Sequence, residues 1–223
     1  MKNLDNITLC VVDCKNHQNA AKSIIYCSSL NEIKFGKKIY LSDIKHYKLD
    51  SNKIDFVKIE TISSPRQYDN FIIKNLHQYI DTDFLLIVQH DGMIYNPSNW
   101  TDEFLNYDYI GAAWPSPPKN GCRVGNGGFS LRSTKFMKEC SNILGDQYCN
   151  EAEDVYCSCT IHKIMIEKGF KYAPVELAKK FSYEQYFDNI SEDTFGFHLA
   201  STFPCETHLN FRKKIYENIH KNW

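Results

Sequence analysis

The sequence predicts a single α/β domain built on a mainly parallel sheet, and three observations carry this prediction. Short apolar runs with polar ends recur at 7–12, 38–41 and 84–89, and a stretch with helical spacing, 18–33, separates the first two. A helix between two apolar runs is typical of a β-α-β unit, whose strands are parallel. The chain has 223 residues, 43% of them hydrophobic, which suffices for the core of one such domain.

Local residue patterns predict the other strands and helices of the first half of the chain. A third strand is expected at 54–59, where apolar and polar residues partly alternate. Ser64-Pro65 opens a helix, because proline suits the first helical turn and apolar side chains then recur on one face. Asn96-Pro97 begins a short helix, and a strand is expected at 107–114.

The second half is predicted to hold a loop, two helices and one more strand. The loop 115–121 is rich in Pro, Ser, Lys and Gly, and it is the best candidate for a mobile segment. Three glycines at 125–128 lead into a strand-like run rather than a helix, which disfavours a dinucleotide fingerprint. The remaining elements are expected as helices over 133–144 and 151–168, a strand over 172–177 and a surface helix over 206–220.

The charge balance argues against binding of bulk nucleic acid. The formal net charge is -1, and the longest basic run is Arg212-Lys213-Lys214. The first residues contain no apolar targeting segment, and no run approaches the ~20 apolar residues that a membrane helix needs. We therefore expect a cytoplasmic protein without a membrane span.

The nine cysteines contain no C-x-x-C pair, which favours reduced thiols in the protein core. The one group to weigh as a zinc site is Cys157, Cys159 and His162. Cys159 and His162 share a helical face, but Cys157 points elsewhere and no second ligand pair follows at zinc spacing. Buried cysteines are the better interpretation.

Three polar positions are candidates for chemistry, and each also has a plain structural explanation. Asp91 ends the apolar run 84–89, where ligands of open α/β sheets bind, yet Asp-Gly is also ordinary turn chemistry. Glu153-Asp154 opens a helix, where acidic residues complement the helix dipole. His198 follows two aromatic residues and fits an interior histidine equally well.

The order of these motifs resembles that of GT-A-type glycosyltransferases. After the acid at the strand end come Tyr107-Asp-Tyr-Ile-Gly-Ala-Ala-Trp114, Val124-Gly-Asn-Gly-Gly-Phe-Ser-Leu-Arg132, Glu153-Asp-Val-Tyr156 and Phe195-Gly-Phe-His198. The resemblance covers 7–198, and it is closest to small glycosyltransferase-like domains associated with bacterial and viral polysaccharide synthesis. It implies a GT-A-like fold, with a core over about 7–200 and a helical tail over 204–223.

The resemblance implies a nucleotide-sugar donor whose diphosphate is held by Mn²⁺ or Mg²⁺. Asp91 matches the last acid of the family's Asp-x-Asp motif, and His198 matches the late histidine that completes the metal site. Asp154 matches the acid that deprotonates the acceptor hydroxyl in inverting members. Gln89 stands where the first motif acid would be, so metal-independent activity stays open.

The resemblance also suggests which residues contact the two substrates. Candidates for donor binding are Val12, Asp13, Ser42, Asp43, Arg66, Asn70 and His90, and candidates for acceptor binding are Trp114, Gly127, Gly128 and Glu153. Glu153 is also explained as a helix cap, and Trp114 as a core residue. Lys74 is better explained as part of a solvated helix face.

These observations predict transfer of a sugar to a hydroxyl of a glycan or another acceptor, by direct displacement with inversion. A nucleotidyltransferase is the alternative enzyme, although the loop after the first strand, 13–18, has one lysine and no glycine. The alternative outside catalysis is a carbohydrate-binding or scaffold protein on a degenerate transferase fold, which the loss of an acid at Gln89 motivates.

Overall fold

The computed structural model of the chain describes residues 1–116, 122–184 and 193–198. The predicted surface helix over 206–220 and most of the predicted mobile loop lie outside the described residues. Among the described residues, none of the helices has the length and apolar character needed to cross a bilayer.

A six-stranded, mainly parallel sheet forms the centre of the fold, as the sequence predicts. Its strands are β1 (Lys2–Val12), β2 (Ile33–Ser42), β3 (Asp55–Lys58), β4 (Phe84–Val88), β6 (Tyr109–Ile110) and β7 (Phe129–Ser133), in the order β3-β2-β1-β4-β7-β6. The first four strands in this order are parallel, whereas β7 runs antiparallel to β4 and to β6. The mixed α/β fold class is therefore confirmed.

Helices cover both faces of this sheet. They are α1 (His17–Ser29), α2 (Pro65–Lys74), α3 (Thr134–Leu144), α4 (Glu153–Val155), α5 (His162–Glu167) and α6 (Val175–Phe181). The start of α2 is as predicted, since Pro65 is the first helical residue and Ser64 and Gln67 form a reciprocal capping box. This cap fixes the end of α2 that faces the carboxyl edge of the sheet.

Four predicted elements differ from the structure. The helix expected over 151–168 is divided, because a π-helical turn at Tyr156–Thr160 separates α4 from α5. The strand expected over 172–177 is wrong: Tyr172 makes one isolated bridge, and the chain then enters α6. The strand expected over 107–114 is only two residues long, with a separate bridge from Ala113 to Val124.

The short helix expected from Asn96 is also divided, into 3-10 turns at Pro97–Asn99 and Asp102–Asn106. Asn96 does begin the first turn, since its Oδ1 accepts a hydrogen bond from the N–H of Ser98 at 3.1 Å. A tight 3-10 turn is common in such connecting segments.

A second, three-stranded sheet lies beside the carboxyl edge of the first. It consists of β5 (Gly92–Ile94), β8 (Ser182–Glu184) and β9 (Gly196–His198), in the order β5-β9-β8. In the antiparallel pair β5–β9, Gly92 is opposite His198; in the parallel pair β8–β9, Glu184 is beside His198. This register brings Asp91, His198 and Glu184 to one place, although they are far apart in sequence.

Two apolar layers hold the sheets and helices together. One layer packs α1 and α6 against one face of the large sheet and contains the rings of Phe104, Phe129, Phe181 and Phe195. The other packs α2 and α3 against the opposite face. Phe129 lies on β7 of the large sheet and Phe195 directly precedes β9 of the small one. Their rings are 5.9 Å apart, so this aromatic packing holds the small sheet against the large one.

Candidate active site

A cleft of about 340 Å³ opens at the carboxyl ends of β1 and β4, where ligands of open α/β sheets bind. Its walls come from the loop after β1, the start of α2, the residues after β4, the glycine segment before β7, and α4. Seven of the residues suggested by the sequence line it: Val12, Asp13, His90, Gly128, Glu153, Asp154 and His198.

The imidazole of His198 lies between two carboxylates at one end of this cleft. Its Nε2 is 3.3 Å from Oδ1 of Asp91, and its Nδ1 is 3.3 Å from Oε1 of Glu184. The contact with Glu184 has hydrogen-bond geometry, whereas the contact with Asp91 is close without being well aligned. Oδ1 of Asp91 is therefore a buried acceptor without a hydrogen-bond partner among the described residues.

The protonation states of Asp91 and His198 depend on each other and on Glu184. Burial lowers the pKa of His198, but the close contacts and negative charges of Asp91 and Glu184 outweigh it and raise the pKa to about 10. Burial raises the pKa of Asp91, yet His198 and His90 hold it below its ordinary value. In the absence of another cation, His198 is thus protonated and compensates its two carboxylates.

Two glycines make room for this arrangement. A Cβ at Gly128 would collide with the imidazole of His198, and a Cβ at Gly92 would lie 2.8 Å from the carbonyl oxygen of Gly128. The absence of side chains at both positions therefore lets the histidine ring pack directly on the glycine segment. This close approach explains part of the glycine cluster seen in the sequence.

Asp154 faces the cleft from α4, opposite the loop after β1. The N–H of Gly127 donates to its Oδ2 at 3.3 Å, and the N–H of Val155 donates to its Oδ1 at 2.7 Å. Its surroundings raise its pKa to about 7, through burial and through the negative charge of the neighbouring Glu153. The carboxyl is half-buried, so it still reaches the cleft. Such a carboxylate can accept a proton near neutral pH.

Glu153 forms an ion pair with a buried arginine, Arg132. Nη1 of Arg132 donates to Oε2 of Glu153 at 2.6 Å, and Nη2 donates to Oε1 at 2.9 Å. The guanidinium is fully buried and lies 4.7 Å from the centre of the Tyr109 ring. The backbone N–H of Glu153 donates to Oδ1 of Asp69 on α2 at 3.0 Å. These contacts fix α4, and with it Asp154, against the sheet and α2.

The loop after β1 forms the opposite wall. Oδ1 of Asp13 accepts hydrogen bonds from the N–H groups of Lys15 and Asn16, at 2.7 and 2.5 Å, which shapes a tight turn. Oδ2 of Asp13 lies 3.7 Å from Nδ1 of His90. Gln89, in place of the first motif acid, donates from Nε2 to the hydroxyl of Tyr68 at 3.0 Å.

Seven of the suggested residues do not line the cleft. Asp91 lies directly behind His198. Asp43 accepts hydrogen bonds from His17 and Thr61 in a separate concavity, and its neighbour Ser42 is buried. The others are Arg66, Asn70, Trp114 and Gly127.

The contacts of these other residues are structural. Arg66 pairs with Asp69 at 2.7 Å, and the amide of Asn70 is bonded to backbone groups of Arg66 and Cys149. Trp114 is 8% exposed and packs beside Gly125, which matches the explanation of this residue as part of the core. A Cβ at Gly127 would collide with Oε1 of Glu153.

Three residues of this site were not singled out as functional from the sequence. Arg132 stands in the glycine motif, but nothing in the pattern indicates that it is buried. Asp69 occupies an ordinary position on an amphipathic helix. Glu184 belongs to a three-residue strand that carries no recognisable periodicity, so only the pairing of β8 with β9 reveals it.

The donor set fits a divalent cation bound jointly by protein and ligand. Among the described residues, no three His, Cys, Asp or Glu side chains form a ready metal cluster. Asp91 and His198 nevertheless offer a carboxylate oxygen and an imidazole nitrogen side by side, and the carboxylate oxygen lacks a hydrogen bond. Mg²⁺ commonly uses one or two protein carboxylates and completes its shell with water and substrate phosphate.

The cysteines that the structure describes do not form a metal cluster. Each of the eight described cysteines is a free thiol, and six of them are buried, including Cys157 and Cys159. Burial raises the pKa of Cys10 and Cys27, as expected for thiols that pack in a core. Cys205 lies outside the described residues.

Comparison with solved structures defines the class of fold. The chain matches the crystal structure of a glycosyltransferase involved in the glycosylation of the major capsid of PBCV-1, with a TM-score of 0.55 and 13% sequence identity. The match covers 93% of this chain and 98% of that one. At this identity the likeness establishes a GT-A-like fold and leaves the activity to be argued from the site.

The family follows from the sequence match over residues 51–198. This chain belongs to DUF5672, a family described as proteins of unknown function. The match begins in the turn before β3 and ends at His198, so it contains Asp91, the glycine segment, Asp154 and His198. A comparison with curated proteins finds no match.

Proposed function

We propose that this protein is a glycosyltransferase that moves a sugar from a nucleoside-diphosphate donor to a hydroxyl acceptor, with inversion at the anomeric carbon. The observation that carries the proposal is the position of Asp154. Its carboxyl faces the same cleft as His198, with a pKa of about 7, and two backbone N–H groups hold it in place.

The reaction requires one base and one means of stabilising the leaving group. Asp154 accepts the proton of the acceptor hydroxyl while the acceptor oxygen forms a bond to the anomeric carbon. The bond from that carbon to the donor phosphate breaks, and its electron pair leaves with the nucleoside diphosphate. No second carboxylate is needed as a nucleophile, because direct displacement inverts the centre in one step.

The electrostatics of the cleft favour assistance by a divalent cation. Among the described residues, four carboxylates, Asp13, Asp69, Glu153 and Asp154, line the cleft together with one lysine, Lys15. Arg132 and Arg66 already pair with Glu153 and Asp69, so little free positive charge remains in the cleft for a diphosphate. Asp91 and His198 would hold Mn²⁺ or Mg²⁺, which neutralises charge on the leaving diphosphate when bound. We assign the end of the cleft near His198 to the diphosphate and the end near Asp154 to the acceptor.

Only residues that line the cleft would contact the donor. Asp13 and Val12 would contact the nucleoside, since they form the wall after β1, and His90 lies between that wall and Asp91. Gly128 and Glu153 would border the acceptor. Five suggested residues outside the cleft would contribute only by packing the elements that form its walls. They are Ser42, Asp43, Arg66, Asn70 and Trp114.

A two-stage experiment tests the function. Thermal melting with a panel of nucleotide sugars, each with Mn²⁺ or with EDTA, identifies the donor, because a ligand of the native state raises the melting temperature. Transfer is then measured as release of nucleoside diphosphate with a panel of glycan acceptors. Asp154→Asn should lower kcat by ~10²–10⁴-fold while donor binding persists.

The matched control is Asp146→Asn, which changes an exposed aspartate in the loop after α3 and should leave turnover unchanged. Donor binding without turnover in the wild type would contradict the proposal and favour the sugar-binding scaffold. Release of sugar 1-phosphate instead of nucleoside diphosphate would indicate attack at the α-phosphate and favour the nucleotidyltransferase.

A further inference from the structure

We propose that Glu184 is a positioning residue that fixes the orientation and tautomer of His198, so that Nε2 is presented to the cation. This inference rests on the proposed function, since it concerns the same metal site. It adds a third residue to that site, from a strand with no recognisable motif.

The geometry of the small sheet supports this role. Glu184 and His198 are neighbours in the parallel pair β8–β9, so their side chains emerge side by side from the same face. Nδ1 of His198 is 3.3 Å from Oε1 of Glu184, in hydrogen-bond geometry. Glu184 is 3% exposed, and its Oε2 has no hydrogen-bond partner among the described residues.

A neutral imidazole carries one N–H, and its neighbours decide which nitrogen has it. The carboxylate of Glu184 is an acceptor only, so it favours an N–H on Nδ1 and leaves the lone pair on Nε2. Histidines that bind metals commonly donate their second nitrogen to a carboxylate in this way.

The position of Nε2 fits a ligand shared with Asp91. It lies 3.3 Å from Oδ1 of Asp91, which has no hydrogen-bond partner among the described residues. Two ligand atoms at ~2.1 Å from one octahedral ion, at right angles, are ~3 Å apart. The two atoms are thus already near the spacing that is needed to bind one shared ion. The hydrogen bond to Glu184 keeps the ring from turning Nδ1 toward that ion.

A purely structural role for Glu184 would give a different pattern of results. The backbone pairing of β8 with β9 and the packing of Tyr183 and Phe197 already join the two strands. If Glu184 served only to hold them together, its replacement would lower thermal stability without changing the intrinsic affinity for the ion.

The experiment compares wild type, Glu184→Gln and Glu176→Gln. Glu176 is an exposed residue of α6, so its variant is the matched control. Mn²⁺ binding is followed by electron paramagnetic resonance of the free ion, alone and with uridine or guanosine diphosphate, and melting in EDTA checks folding. We expect Glu184→Gln to bind Mn²⁺ ~10–100-fold more weakly and the control to bind as the wild type does.

A measurement on the unaltered protein keeps the test decisive if Glu184→Gln folds poorly. With saturating Mg²⁺, ¹⁵N NMR of histidine-labelled wild type should show the proton of His198 on Nδ1 and none on Nε2. A proton on Nε2, or equal Mn²⁺ affinity of folded Glu184→Gln and wild type, would overturn the inference and leave metal-assisted transfer intact. Absence of Mn²⁺ binding by the wild type would overturn the metal site itself, whereas turnover in EDTA would still support glycosyl transfer.

Discussion

Arg132 and Glu153 form a buried, two-pronged ion pair beneath the glycine segment, with donor–acceptor distances of 2.6 and 2.9 Å. Arg132 lies on β7 and Glu153 begins α4, so the pair joins the sheet to the helix that carries Asp154. Its position also restricts the glycine segment, because a side chain at Gly127 would collide with Glu153.

Removal of one partner of this pair should destabilise the fold strongly. Glu153→Gln leaves the charge of Arg132 buried without compensation, and such changes cost ~3–5 kcal/mol. Urea unfolding gives the free energy of unfolding. Glu167→Gln, in the exposed pair with Lys163, is the control and should change it by less than ~0.5 kcal/mol. Similar effects of the two variants would show that the buried pair contributes little.

The pH dependence of turnover should report Asp154. Because the pKa is raised to about 7, the carboxylate that acts as base is depleted below that pH and populated above it. We therefore expect kcat/KM to rise from pH 6 to pH 8 and then level off, whereas an unperturbed aspartate, with a pKa of ~3.9, would give no change in this range. A rate profile that stays flat across this range would remove Asp154 from the role of base.

Gly128→Ala should weaken the metal site more than the fold. The new methyl group would meet the imidazole of His198, which must then move away from Asp91. A metal-binding side chain that is displaced by ~1 Å from its productive position loses much of its effect. We therefore expect at least ~10-fold weaker Mn²⁺ binding. Calorimetric titration with Mn²⁺ measures it, and circular dichroism shows whether the fold persists. Unchanged affinity would mean that the ring does not need this space.

Asp91→Asn should abolish the stabilisation of the protein by Mn²⁺. The amide has one neutral oxygen in place of a carboxylate, so we expect a loss of affinity beyond the ~10–100-fold cost of an outer-shell partner. Melting temperatures with and without Mn²⁺ measure the effect. Asp102→Asn, which alters an exposed pair with Lys2, is the control, and a Mn²⁺ shift retained by Asp91→Asn would exclude Asp91 as a ligand.

The sequence predicted those parts of the site that depend on local pattern. The apolar runs before Asp13 and Asp91 predicted two parallel strands, and parallel neighbours necessarily bring their carboxyl ends to one edge. Ser64-Pro65 likewise predicted the start of α2, because the preference of proline for the first helical turn is a local signal. The family resemblance added His198 and Asp154, which the structure places on one cleft.

The remaining features depend on contacts between distant segments. Strands β8 and β9 have three residues each and are stabilised by pairing with one another and with β5, so periodicity cannot reveal them. Glu184 was missed for this reason. The burial of Arg132 was missed as well, since a charged residue is ordinarily exposed and its burial here depends on a distant partner, Glu153.

The late position of β9 in the chain has a consequence for folding. The six strands of the large sheet and helices α1 to α3 all precede Gly145, so this sheet and part of its helical cover can form before β9 is synthesised. His198 reaches Asp91 only when β9 pairs with β5 across a long sequence separation, and contacts of this kind form slowly. During synthesis, a nascent chain would therefore form most of its large sheet before Asp91 and His198 can meet at the proposed metal site.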